Sequence, residues 1–197
     1  MEDLIGFAAA GFALAGSPGP ATLSLAAAGA AFGALRSLGY MAGIISGMVI
    51  VICVTGSGVT GVLLTVPGAA PVLTAPGAAY ICYLAYRIAS APPLSAPERE
   101  ARRPTFSGGV FLSLVNPKGY AAMAALLSGF VLSAKSVALD MTLKLIVLLA
   151  IMIAVDITWL FVGAAMSRRI RRPAVGRAIN VAFALFLVLS VALALLL

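Results

Sequence analysis

The sequence predicts an all-α integral membrane protein with six transmembrane helices. Of its 197 residues, 62% are hydrophobic and only 10% are charged, and the mean hydropathy is +1.13. A soluble domain has about 45–50% apolar and about 25% charged residues, so this chain has too few charges to cover a surface that faces water. At about 20 residues per spanning helix, the length allows five to seven spans and no additional soluble domain. This composition excludes a disordered chain and an ordinary soluble enzyme.

Six long apolar segments define the predicted spans. Only helices and closed barrels satisfy every backbone group in lipid, and these segments lack the alternation that is typical of strands. The segments are 4–35, 38–66, 72–89, 106–133, 141–166 and 178–197. The chain starts with Glu2 and Asp3 rather than with basic residues, which predicts a retained first span and not a cleaved signal peptide.

Two of the predicted spans contain helix breaks. Ser17-Pro18-Gly19-Pro20 interrupts the first segment, whose 32 residues would make a helix of about 48 Å across about 30 Å of hydrocarbon. Asn116-Pro117-Lys118-Gly119 interrupts the fourth segment, and a shift of 99 residues places Pro18 on Pro117. Proline removes a backbone donor and breaks or kinks a helix, so we expect an interruption near the middle of both spans.

The matched breaks predict a single transmembrane domain, 1–197, made of two related halves. The halves, 1–90 and 106–197, are joined by a solvated linker, 91–105, rich in Pro, Glu and Arg. Three spans per half would insert the second half upside down, and inverted repeats with interrupted helices are typical of secondary transporters with a site at the bilayer midplane. The alternative is that each proline merely kinks its helix.

The basic residues predict how the bundle is oriented. Ten of the thirteen Lys and Arg residues lie in three loops on one side of a six-span bundle, whereas Lys135 and Lys144 lie on the other. Basic loops stay in the cytoplasm, so we expect cytoplasmic arginine-rich loops and both termini outside. The ten residues are Arg36, Arg87, Arg99, Arg102, Arg103, Arg168, Arg169, Arg171, Arg172 and Arg177. Their loop positions argue for membrane lipid, and not nucleic acid, as the partner of the positive charge.

Lys118 and Asp156 are the two charges predicted to lie deep in the membrane. A charge at that depth costs about 2.5–3.5 kcal/mol, so each should face a cavity or a partner. One interpretation is a buried structural ion pair. The other is a substrate site, in which Lys118 attracts a carboxylate and Asp156 carries the coupling proton or ion. The chain has no histidine, which leaves Asp156 as the strongest carrier candidate and predicts neither a metal nor a cofactor.

Uncharged groups beside the breaks complete the predicted site. Helix N-terminal amides could face the carboxylate of a zwitterion, while carbonyls freed by the breaks could face its ammonium group. Trp159 follows Asp156 by three residues and either lines the cavity or packs beside it. The predicted translocation path consists of Ser17, Pro18, Gly19, Pro20, Thr22, Asn116, Pro117, Lys118 and Trp159.

Small residues predict close helix packing in the second span. Gly39, Gly43 and Gly47 form two overlapping GxxxG steps, which let a neighbouring helix approach. Cys53 and Cys82 form no CxxC pair, which disfavours a thiol-redox carrier and favours small buried fillers.

Taken together, these motifs make the chain resemble the lysine exporter/homoserine-threonine exporter (LysE/RhtB-type) family of bacterial amino-acid efflux proteins. The resemblance extends almost from end to end. It rests on Ser17-Pro18-Gly19-Pro20, the glycines 33, 39, 43 and 47, Gly77-Ala78-Ala79-Tyr80-Ile81 with Tyr83-Leu84, Phe106 with Gly109, Asn116-Pro117-Lys118, and Asp156 with Trp159 and Arg169-Ile170.

The resemblance implies export of small amino acids or related metabolites across the inner membrane, driven by proton or ion exchange, with both broken segments lining the path. A channel or ion-efflux protein of the same architecture is the main alternative, and a purely structural membrane subunit is a weaker one. An intramembrane enzyme is disfavoured because the chain has no histidine and no paired intramembrane aspartates. A homodimer is also considered, because six short helices make a small bundle.

Overall fold

A computed structural model describes residues 2–58, 79–86, 88–90, 104–169, 177–178, 181–186, 188–189 and 192 of the chain. Within these residues the secondary structure is helical and contains no strand, which confirms the predicted all-α class. Residues 79–86 and 181–186 are helical as well. The helices with defined bounds are α1 (Glu2–Gly16), α2 (Pro20–Phe32), α3 (Ala34–Gly56), α4 (Phe106–Leu114), α5 (Pro117–Gly129) and α6 (Val137–Arg169).

Two helices are long and apolar enough to cross a membrane alone: α3, and α6 over Val137–Met166. The pairs α1/α2 and α4/α5 meet the same criterion when each pair counts as one span, and they bend by 57° and 62° at their breaks. The described residues thus contain two to four spans. The predicted second, third and sixth spans fall partly outside those residues. Positions 91–103 of the predicted linker and 170–176 of the last arginine-rich loop lie outside them too.

The two breaks occur where the prolines predict them, and each ends at a helix that starts with proline. Pro20 opens α2 and Pro117 opens α5. Proline suits this first position because its fixed φ is helical and its missing N–H has no intrahelical acceptor there. Pro20 and Pro117 thus hold the same position at the start of their helices. The correspondence of Pro18 with Pro117 under the shift of 99 residues stays a prediction.

Close glycine contacts join α3 to α4. A Cβ on Gly43 would collide with the carbonyl oxygen of Phe106, and a Cβ on Gly109 with that of Tyr40. A Cβ on Gly47 would lie 2.7 Å from both Val110 O and Ser113 Cβ. Gly39 takes no part in this seam, because it is exposed and no atom lies within 4 Å of its Cβ position.

A second seam joins α2 to α6. A Cβ on Gly29 would collide with the carbonyl oxygen of Leu160, and one on Gly163 with that of Ala26. Since the two backbones touch directly, only glycine fits at these crossing points.

The packing is crosswise, because α3 of the first half lies mainly against α4 of the second half, and α6 of the second half lies mainly against α2 of the first. α3 also contacts α2, α5 and α6, and α6 also contacts α1. Two clusters of buried apolar residues result. Tyr40 of α3 and Leu160 of α6 belong to the first cluster, and Val51 and Leu148 belong to the second. The start of α3 therefore packs near the end of α6, and the end of α3 near the start of α6. The two long helices run in opposite directions, with the helix breaks between the clusters.

An ion pair anchors the segment that links α5 to α6. Lys144 Nζ lies 2.7 Å from Asp140 Oδ2 and donates to Leu127 O at 2.9 Å, while Asp140 Oδ1 accepts from the backbone N–H groups of Leu132 (2.6 Å) and Ser133 (3.0 Å). Lys144 is only 2% exposed, so it is a buried helical residue and not a solvated loop cation.

Both cysteines are exposed side chains, so the prediction that they are buried fillers is wrong. In a membrane-spanning bundle, lipid takes the place of the protein core at such positions, and apolar periodicity alone does not separate the two environments.

Candidate functional site

A cavity of about 60 Å³ lies between the two apolar clusters, where the two helix breaks meet. At about 10–15 Å³ per water, it has room for a few water molecules. Six of the predicted site residues line it: Gly19, Pro20, Thr22, Asn116, Lys118 and Asp156. The cavity is lined by α1, α2, α3, α5 and α6 at the depth of the breaks, and the predicted site residues on its wall come from the first break, α2, α5 and α6 and from Asn116 before α5.

Lys118 joins the two breaks directly. It is the second residue of α5, and its ammonium group donates to Ser17 O at 2.6 Å, Ser17 Oγ at 2.8 Å and Pro18 O at 3.2 Å. An ammonium group has three protons, and these three oxygens can use all of them. In this conformation Lys118 is held by the break of the first half.

Gly19 leaves the space through which the lysine side chain passes. A Cβ on Gly19 would lie 2.7 Å from Lys118 Cδ and 2.9 Å from Lys118 Nζ. Gly19 itself has φ −172° and ψ −179°, an extended conformation that any residue can adopt. The requirement for glycine is therefore steric and comes from the lysine.

Two carbonyl groups at the end of α1, those of Leu14 and Gly16, accept from side chains and not from a continuing helix. Ser17 Oγ donates to Leu14 O at 2.9 Å, and Trp159 Nε1 donates to Gly16 O at 3.2 Å. On the other side of the break, Thr22 Oγ1 accepts from the Gly19 N–H at 2.9 Å. Trp159 thus fastens α6 to the first break, and Thr22 fixes the turn that starts α2.

Asp156 lies on the cavity wall and is only 5% exposed. Within the described residues its carboxylate accepts no hydrogen bond and forms no ion pair with Lys118, whose protons point to Ser17 and Pro18. The structural Lys118–Asp156 pair that the sequence allowed is absent in this conformation. A buried carboxylate without a partner carries a large desolvation cost, which a bound proton or cation would relieve.

Asn116 provides a second unsatisfied acceptor. Its side chain is 3% exposed, it lines the cavity, and no donor reaches Oδ1. Buried polar atoms nearly always have partners, so an exception beside a cavity indicates a place for a ligand or a water molecule. The cavity therefore presents acceptors to an occupant, because the one ammonium group on its wall is already engaged.

The structure thus brings the predicted path residues of both halves together. Ser17, Pro18, Pro117 and Trp159 border the breaks without lining the cavity, whereas Gly39 lies elsewhere on an exposed surface.

The apolar lining was not predicted. It includes Ile44, Met48, Met123 and Met152, and nothing in their spacing separates them from ordinary core residues. The Asp140–Lys144 pair was also missed, although its i,i+4 spacing on a helix was a usable signal.

Comparison with known proteins gives one match. The sequence model of the family described as LysE type translocator matches residues 12–197, nearly the whole chain. No curated protein and no solved structure matches the chain.

Proposed function

This chain belongs to the LysE type translocator family, and from that membership and the site geometry we propose that it is a secondary transporter that exports amino acids or related small metabolites. The family consists of transporters and not enzymes. The chain is accordingly a membrane transporter with a small-molecule substrate. Alternating access across the bacterial inner membrane is our proposal for how it works.

One observation carries the proposal: the broken helices of the two halves meet at one small cavity through Lys118. Interrupted helices leave backbone carbonyl and N–H groups free near mid-membrane, where they can bind the polar ends of a substrate. Because the cavity holds only a few waters, an amino acid needs it to widen. The glycine seams beside the breaks are surfaces along which the helices could slide.

The predicted path residues supply complementary groups for a zwitterion. The helix N-termini that begin at Pro20 and Pro117 favour a carboxylate, and the oxygens of Ser17 and Asn116 favour an ammonium group. Lys118 can attract the substrate carboxylate only after it leaves the oxygens that hold it.

Asp156 is proposed as the coupling residue. It is the buried acid on the cavity wall, and the described residues give its carboxylate no partner. Taking up a proton or cation on one side of the membrane and releasing it on the other would tie export to an existing gradient.

The proposed architecture is a single domain of two inverted halves, joined by the linker 91–105, with both termini outside and cytoplasmic arginine-rich loops. The opposite directions of α3 and α6 support it, because these helices occupy the same place in the two halves. A homodimer remains a further proposal, based only on the small size of the bundle.

The test is uphill export by the purified protein in proteoliposomes. Each amino acid of a panel is loaded, and a proton or sodium gradient is imposed. We expect wild-type protein to move at least one of them against its own gradient. We expect Asp156→Asn to retain exchange of labelled for unlabelled substrate but to lose uphill export, because an amide cannot carry the proton or cation.

Two outcomes would contradict the proposal. A channel, the alternative function, would give downhill flux without uphill export or exchange. Normal uphill export by Asp156→Asn would remove Asp156 from coupling. Asp140→Asn, which alters an acid outside the cavity, is the matched control and should keep its uphill export if the folded yield is normal.

A further inference from the structure

Three oxygen atoms of the first break form a compact group of cation acceptors. They are Ser17 O, Ser17 Oγ and Pro18 O, and each lies between 2.6 and 3.2 Å from one nitrogen atom, Lys118 Nζ. They stand just beyond the end of α1, where the helix dipole and the free carbonyls favour a positive charge. The chemistry of this group is therefore that of a site for a primary ammonium ion.

The ammonium group in this site belongs to Lys118, which comes from the other half of the chain. Only this group, at the end of the side chain, forms hydrogen bonds there. The described residues give Lys118 Nζ no carboxylate partner, so these neutral oxygens are what stabilises its charge. The aliphatic stem lies along Gly19, beside the cavity. The ammonium group of a small amino acid has the same charge and the same three donors as the tip of this stem.

We propose that Ser17 O, Ser17 Oγ and Pro18 O form the binding site for the substrate's ammonium group, and that Lys118 fills this site as a tethered substitute until substrate displaces it. This inference rests on the proposed function, since it takes the second occupant to be the transported amino acid. No covalent step is involved, because one ammonium ion replaces another on the same oxygens.

The exchange explains how one lysine serves two purposes. While Lys118 occupies the oxygens, it holds the breaks of the two halves together. When a substrate ammonium group takes its place, Lys118 is free to pair with the substrate carboxylate in the same cavity. The site should therefore select ligands that have both groups. An α-hydroxy acid lacks the ammonium group, and a betaine has a quaternary nitrogen without N–H donors.

The test uses propylammonium, which is the part of the side chain that Lys118→Ala removes: three carbons and the nitrogen. The readout is the fluorescence of Trp159, the only tryptophan, whose indole contacts Gly16 O next to the site. We expect propylammonium chloride to change the emission of purified Lys118→Ala in a saturable manner. Wild-type protein should need about tenfold or more of the same salt, because its own lysine competes. Tetramethylammonium, which has no N–H donor, should have no effect on either protein.

Lys144→Ala is the matched control, because it removes the same side-chain atoms from another buried lysine. Residue 144 lies fifteen positions from Trp159 along α6, about 22 Å, so propylammonium should leave its emission as in the wild type. If Lys118→Ala folds poorly, the readout is the yield of folded variant, compared between a buffer with propylammonium and a buffer with tetramethylammonium. We expect the higher yield with propylammonium. Equal yields would contradict the proposal, as would equal responses of Lys118→Ala and wild type to propylammonium.

The unaltered protein provides an independent measurement. Amino acids that bind should change Trp159 emission, whereas their α-hydroxy acid counterparts should not; equal responses to both would overturn the ammonium site. These outcomes are separable from the proposed function. A failed propylammonium response with intact uphill export rejects the site alone, and a positive response without any transport rejects the export proposal alone.

Discussion

At the scale of single residues, Gly19 and Lys118 depend on each other. The lysine stem passes where a side chain at position 19 would project, and the extended backbone there does not itself require glycine. Any side chain at position 19 therefore acts on the lysine first. A substitution at position 19 should therefore move the Lys118 ammonium group while keeping its charge. A substitution of Lys118 itself removes both at once.

We predict that Gly19→Ala reduces transport about tenfold or more while leaving the protein folded. The new methyl group would lie 2.7 Å from Lys118 Cδ, which moves the ammonium group away from Ser17 and Pro18. Initial rates in proteoliposomes and the apparent Tm in detergent give the two readouts. Gly39→Ala is the control: its Cβ meets open space, so activity should persist, and replacing an exposed helical glycine stabilises by about 0.5–1 kcal/mol. Full activity of Gly19→Ala would show that the position of the lysine is unimportant.

The sequence identifies the charged residues of the candidate site but not their hydrogen-bond partners. Lys118 and Asp156 stand out in the sequence because charges in apolar segments are costly, but the sequence does not show whether they pair with each other or with substrate. The structure shows that Lys118 binds neither Asp156 nor any other side-chain acid among the described residues, but two backbone carbonyls and a hydroxyl. The prolines predict free carbonyl groups at the first break, but they do not indicate that Lys118 binds those of Ser17 and Pro18.

At the scale of helices, the two glycine seams set the distance between neighbours. The α2–α6 seam lies next to the cavity, because α2 begins at the first break and α6 carries Asp156 and Trp159. Its spacing therefore determines how the cavity walls are placed as well as how stable the bundle is.

We predict that Gly163→Ala lowers the stability of the folded protein by about 1–3 kcal/mol or more, because its methyl group would overlap the carbonyl oxygen of Ala26 and the helices must separate. The measurement is a lower apparent Tm relative to wild type in the same detergent. Gly129→Ala, at a glycine with no atom near its Cβ position, serves as the control. An unchanged Tm for Gly163→Ala would mean that the two backbones do not touch.

The sequence predicted where helices would break more reliably than how they pair. Proline acts on its own chain within one turn, so both breaks were predictable, and Pro20 and Pro117 open the helices that follow them. A GxxxG pattern indicates that some helix approaches but not which one. The pattern therefore does not identify α4 as the partner of Gly43 and Gly47. It also does not show where the α3–α4 contact ends, and no described atom lies within 4 Å of the Gly39 Cβ position.

At the scale of the whole molecule, the charge distribution predicts the orientation in the membrane, whereas the crosswise packing shows which helices are neighbours. The positions of arginine predict which side of the membrane each loop faces. The packing shows which helices must come together, and it had no sequence signal because its contacts join residues far apart in the chain. The fold class and the breaks were thus predictable from local composition, whereas the pairing of the halves was not.

We predict that the segment between α5 and α6 faces the outside and the residues before the linker face the cytoplasm. In a chain with Cys53 and Cys82 replaced by alanine, Ala134→Cys should react with a membrane-impermeant maleimide added to intact spheroplasts. Ser90→Cys should react only after the membrane is permeabilised. Both positions are exposed, so accessibility does not favour either one. The reverse labelling pattern would invert the orientation.

Crosswise packing also has a consequence for biosynthesis. α3 is complete at Gly56, but its glycine seam has no partner until α4 ends at Leu114. At about 5–20 residues per second, the ribosome needs several seconds to make that partner. The nascent first half must wait in the lipid with its seam uncovered during that interval. Translation speed and insertion chaperones would then influence the yield of this protein, in addition to the strength of its final contacts.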